Sequence, residues 1–156
     1  MVEENSLEKT LTDLDAQLLA DKERSAKLHR EQEEKREKFR NVFDQVWSNT
    51  IMHTLQKITP LVSSKNFSIE DYNRTTNASS HQARMRKGVI LRHNTSPSDY
   101  VAVLFKGDEY RSDIVISISK DGNRERDEDV KYSPSDITPQ LIENKIVEAL
   151  KKFKSK

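Results

Sequence analysis

The chain has 156 residues, of which 33% are hydrophobic and 34% charged, yet its net charge is only +1. Mixed charge at this density excludes a one-signed polyelectrolyte and a large apolar core spread through the whole chain. It fits a solvated helix joined to a small compact domain. Cysteine is absent, which excludes disulfide staples and thiolate metal sites.

The first residues, MVEENSLEK, are acidic and lack an apolar core, so no secretory signal is expected. The longest purely apolar run, 101–105, is far too short to cross a bilayer. The expectation is an intracellular protein, cytoplasmic or nuclear. No proline precedes Pro60 and no glycine precedes Gly88, so nothing breaks a helix over the first third. Asn5 with Glu8 three residues later reads as a capping box, and Pro60 as an end or kink. Such a helix would be about 80 Å long at about 1.5 Å per residue.

Apolar residues in this stretch follow a 4-3 spacing. With a at Leu11, Leu18, Ser25, Gln32, Phe39 and Val46, d falls at Leu7, Leu14, Asp21, Leu28, Lys35, Val42 and Asn49. The seam is good from Leu7 to Leu18, poor between Asp21 and Lys35, and good again from Phe39. Glu23/Lys27, Glu31/Lys35 and Glu34/Lys38, each four apart, support a helix solvated on all sides. From Phe39 the stripe widens through Phe43, Val46, Trp47, Ile51, Leu55 and Ile58, as for a helix lying on a core. The division therefore predicts a coiled-coil-like extension at 1–38 and a small α+β domain at 39–156.

Beyond Ser63 the period becomes alternating. Strands are expected at 67–72, 88–93, 101–105 and 114–119, with a short charged edge strand at 130–132. Gly107-Asp108 reads as a two-residue hairpin turn pairing Lys106 with Glu109, Phe105 with Tyr110 and Val101 with Ile114. Residues 73–82 read as a long connection, and Asp121-Gly122 as a second turn. Thr138 and Pro139 open a last helix whose apolar face is Leu141, Ile142, Ile146, Ala149, Leu150 and Phe153. The fold class is thus α+β: a long N-terminal helix, an antiparallel meander of about four strands, and a C-terminal helix.

The sequence offers no catalytic or cofactor motif. The three glycines, Gly88, Gly107 and Gly122, build no phosphate loop, and no G-x-S-x-G occurs. His29, His53, His81 and His93 share no metal-ligand spacing. Asp121, Asn123, Glu125, Asp127 and Asp129 alternate like calcium ligands, but Arg126 stands where a glycine is needed and Tyr132 where a glutamate should chelate. No catalytic residue, cofactor, metal or small-molecule substrate is therefore expected. The charge is uneven, however: residues 72–98 carry five cations (Arg74, Arg84, Arg86, Lys87, Arg92) and no acid, whereas residues 99–129 hold nine acids and five bases. Either the basic segment binds an anion, or its strand is neutralised by acidic neighbours within the sheet.

The plan of a coiled-coil-like helix feeding a helix–meander–helix domain resembles the RWD-type domains of adaptor complexes. Tyr132 and Pro134 ahead of Pro139 are similar to the Tyr-Pro motif of those domains, although here Ser133 separates the pair. The resemblance covers about two-thirds of the chain, lies in the plan of the fold, and implies an adaptor role only by analogy. The leading expectation is a non-enzymatic protein–protein interaction or adaptor module. It would assemble with itself or a partner helix through Leu7, Leu11, Leu14 and Leu18. A nucleic-acid or anion-binding module using Arg84, Arg86, Lys87 and Arg92 is the alternative, and an enzyme assembled from distant residues a weaker third.

Overall fold

The computed structural model describes residues 2–72, 85–120 and 130–154. The expected connection at 73–82, Arg74, His81, Arg84, and the Asp121-Gly122 turn with its alternating acids lie outside the described residues. The chain divides into two compact units, Met1–Glu37 and Lys38–Lys156.

Unit 1 is helical throughout its described residues, as part of α1 (Val2–Gln45). The helix begins ahead of Asn5, so the expected cap at Asn5 is not its start. Two of its ion pairs, Asp21 with Arg24 and Glu33 with Arg36, run three apart. On a helix both three- and four-residue spacings bring side chains together, and long exposed side chains choose between them at little cost.

Unit 2 is a two-layer α+β domain. The end of α1 passes into a π-helical turn (Val46–Ile51), in which the amide of Met52 donates to the carbonyl of Trp47, and then into α2 (Met52–Ser64). The sequence explains the wide turn. Phe39, Phe43, Trp47, Ile51 and Leu55 recur every four residues, whereas an α-helix repeats every 3.6. Over four steps the surplus is about 1.6 residues, and a π turn absorbs one of them. Phe39, Phe43, Ile51 and Leu55 are consequently all buried in one core. Of the end or kink read at Pro60, the end does not occur there. Pro60 lies inside α2 on the exposed side, and the carbonyl it leaves without a donor belongs to Gln56, which also faces solvent. Helix α2 stops instead at Asn66, whose φ of 67° is left-handed, with its amide donating to the Ser63 carbonyl.

The sheet is antiparallel, five strands in the order β1-β2-β3-β4-β5: β1 (Phe67–Asp71), β2 (Arg86–His93), β3 (Ser96–Asp108), β4 (Asp113–Lys120) and β5 (Val130–Tyr132). One face carries Val89, Leu91, Val101, Val103, Phe105, Ile114, Ile116 and Ile118 into the core. Helix α3 (Pro139–Lys151) packs on the same face. Its cap is the expected one, with the Thr138 hydroxyl oxygen accepting from the Leu141 amide at 3.2 Å.

The β3–β4 hairpin corrects the expected register. Phe105 pairs with Ile116 and Val101 with Lys120, and the strands close at Asp108 opposite Asp113. The turn is therefore Glu109 to Ser112, four residues and not two. Three local forces select it. Asp108 Oδ1 accepts from the amides of Tyr110 and Arg111 at 3.0 and 3.3 Å, Ser112 takes a φ of 56°, and Glu109 is drawn into a 2.6 Å ion pair with Arg40. The shift in register is even, so every side chain keeps its face, and Val103 now meets Ile118 instead of Ser112.

Gly107 is where helix and strand approach closest. A Cβ there would lie 3.0 Å from Phe43 Cδ2, 3.2 Å from Phe39 Cε1 and 3.3 Å from Met85 Cβ. Two buried rings and a neighbouring strand cannot all give way, so Gly107→Ala is expected to destabilise the domain by about 1–3 kcal/mol. Urea unfolding measures this, and an unchanged midpoint would show the rings have room. Because unit 2 contains its own core, a chain beginning at Lys38 is expected to fold alone, with dispersed amide resonances and one cooperative melt. Collapsed spectra would place the boundary elsewhere.

Candidate functional site

Leu7, Leu11, Leu14 and Leu18 lie at 4-3-4 spacing along α1, on one side of the helix, and each is between 51% and 63% exposed. Leu28 on the same seam and Leu19 beside it are equally open. A helix turn carrying leucines to water on this scale has a free apolar stripe, and the polar residues around it lend it no cover.

The basic segment is divided by the pleat of β2. Alternate residues of a strand point to opposite faces, so Arg86 and Arg92 lie on the face away from the core, and Lys87 on the other. Arg86 and Arg92 are six residues apart, about 20 Å along the strand. Arg92 is partly neutralised within the sheet. Its Nε is 3.2 Å from Glu70 Oε2 on β1, and its guanidinium lies 5.2 Å from the centre of the Tyr100 ring on β3. Arg86, by contrast, sits directly opposite Lys106.

One charged pair and one lysine are sunk into the domain. Arg40 and Glu109 tie the end of α1 to the β3–β4 turn. Lys145, only 6% exposed on α3, lies over the Tyr132 ring at 5.5 Å with its Nζ 3.4 Å from Glu148. The sequence pattern missed Lys145, because a lysine inside a helical stripe reads as polar. Its stem packs with the core and its head meets a ring, which no spacing rule reveals. His29 and His53 are exposed. His93 is held instead. Its ring is edge-on to Phe67, and Nδ1 accepts from the Thr95 amide at 3.2 Å, so in this arrangement the neutral ring carries its proton on Nε2. Among the described residues no group of three His, Asp or Glu side chains could hold a metal ion, and no helix is long and apolar enough to cross a membrane.

Comparison with protein-family models, with curated proteins and with solved structures finds no match to this chain.

Burial lowers the Lys145 pKa, but Tyr132 and Glu148 outweigh it and the net direction is upward. A raised lysine stabilises the fold below the ordinary lysine value, about 10.4, and that contribution fades as pH rises through the folded value. The stability difference between the native chain and Lys145→Met is thus expected to stay constant across neutral pH and to move against the native chain only in the alkaline range. Urea midpoints of both proteins over a pH series test this. A difference that changes between pH values well below about 10.4 would show that another group titrates with the lysine.

Proposed function

We propose that this chain is a non-enzymatic assembly protein. Its N-terminal helix docks a second copy through Leu7, Leu11, Leu14 and Leu18, and its α+β domain is the part carried and presented. The observation that supports this is the exposure of all four leucines on one side of a continuous helix. Leucine at both a and d positions makes the stripe self-complementary, so a second copy fits it without a specialised partner.

The magnitudes favour a reversible complex. Burying a leucine fully is worth about 1.5–3 kcal/mol, and association costs about 4–15 kcal/mol in lost freedom. The four leucines are 51–63% exposed, so burying the rest on both chains gains roughly 7–14 kcal/mol, about the size of the cost. Asp21, Ser25, Gln32 and Lys35 prevent the seam from extending. Flanking charges are balanced. In a parallel pair Glu31 would meet Arg36, which is favourable, and Arg24 would meet His29, which is not.

Sedimentation velocity over a wide concentration range is expected to show reversible dimerisation, abolished by Leu11→Glu with Leu18→Glu. A strict monomer would leave only a heteromeric helix partner. A dimer that survives both glutamates would place the interface in the domain.

A further inference from the structure

The register of the sheet brings together three cations that the sequence keeps far apart. On the face away from the core, Arg86 of β2 is directly opposite Lys106 of β3. Lys106 is opposite Val115 of β4, and Val115 opposite Lys131 of β5. The row crosses four strands, about 14 Å at the usual spacing. Like charges directly opposite one another oppose sheet formation. Even so, among the described residues none of the three forms an ion pair with a carboxylate. Lys106 and Lys131 are exposed and Arg86 is half-buried.

The same end of the sheet holds the β3–β4 turn, which starts three residues beyond Lys106. Tyr110 is 74% exposed there, beside the exposed Arg111. The turn is fixed by the Asp108 carboxylate and by the buried Arg40–Glu109 pair, so Tyr110 and Arg111 are displayed on a firm base. The acids nearby are partly committed. Asp108 is bound by two backbone amides and Glu109 by Arg40, whereas Asp113 opposite Asp108 has one oxygen enclosed without a hydrogen-bond partner. Four cations (Arg86, Lys106, Arg111 and Lys131) and the solvent-exposed Tyr110 thus lie at one end of the sheet.

From this convergence we infer that the β3–β4 end of the sheet binds single-stranded nucleic acid, the cations on its phosphates and Tyr110 stacking on a base. This surface uses no residue of the leucine seam. Lysine is depleted at protein–protein interfaces, whereas phosphate contacts are made by lysine and arginine. An exposed tyrosine beside a cationic strip is the arrangement by which unpaired bases are held irrespective of sequence.

The test is fluorescence anisotropy of the full chain with a labelled oligothymidylate, beginning at low salt. With about four phosphate contacts the log–log salt slope is expected to be roughly −2 to −3. The triple variant Arg86→Gln, Lys106→Gln and Lys131→Gln should flatten that slope by about 0.7 unit per cation removed, roughly two units in all. Tyr110→Ala should weaken binding about fivefold or more. The control triple Lys22→Gln, Lys27→Gln and Lys57→Gln, which removes the same charge elsewhere, should keep native affinity, as should the charge-preserving Arg86→Lys. Circular dichroism establishes that each variant is folded. No binding at low salt overturns the inference, as does binding that survives the strip variant or is lost equally in the control. Competition by polyglutamate as effective as by unlabelled oligothymidylate also overturns it, and makes the strip a site for an acidic protein.

Discussion

Phe39 and Phe43 can lie against the sheet only because Gly107 presents no side chain to them. This contact fixes the rest of the domain. It seats the end of α1 over β3, and the four-residue spacing that begins with these rings then requires the π turn to keep Ile51 and Leu55 on the same core. It also places Arg40 beside the β3–β4 turn, where the pair with Glu109 holds the turn at four residues. A two-residue turn at Gly107-Asp108 would have consumed the glycine in the bend and brought its neighbours into a register that sets Val103 against Ser112. The glycine serves the helix, and the carboxylate beside it makes the turn.

Most of the architecture was legible in the sequence, for reasons that can be named. Alternation in Val101, Val103, Phe105 and in Ile114, Ile116, Ile118 marks half-buried strands. The Thr138-Pro139 pair marks a helix start whose geometry depends on three local residues alone. What misled was non-local. Gly107-Asp108 carries a strong hairpin signature, and only Arg40, sixty-nine residues from Glu109, together with two phenylalanines distant in the chain, assigns those residues other roles. Pro60 carries a strong breaker signature. Its cost is small because both it and the carbonyl it deprives face solvent, which depends on how α2 is rotated against the sheet.

The candidate surfaces divide along the same line. The leucine seam is a helical period, so its residues were readable, and the exposure of each follows from a helix without cover. The basic segment was readable as composition, but a strand distributes neighbours to opposite faces. Its cations therefore do not act as a block: Lys87 is turned to the core side, and Arg92 is engaged by Glu70 and Tyr100. The neutralisation expected of the strand is thus seen at Arg92, while Arg86 acquires Lys106 as its neighbour. Lys106 and Lys131 lie in segments rich in acids, where sequence averaging hides them.

Charge in this domain is organised by rows across the sheet and not by segments along the chain. The acids closest to the cationic row have structural duties, since an Asp108 that satisfies two amides offers less to Lys106 than a free carboxylate would. Glu109, paired with a nearly buried guanidinium, is in the same position. Stability and surface potential are therefore linked. The forces that tighten the hairpin draw negative charge inward, and the lysines of the outer face are left with less to oppose them. A fold whose net charge is near zero can in this way present a locally positive edge without any excess of basic residues.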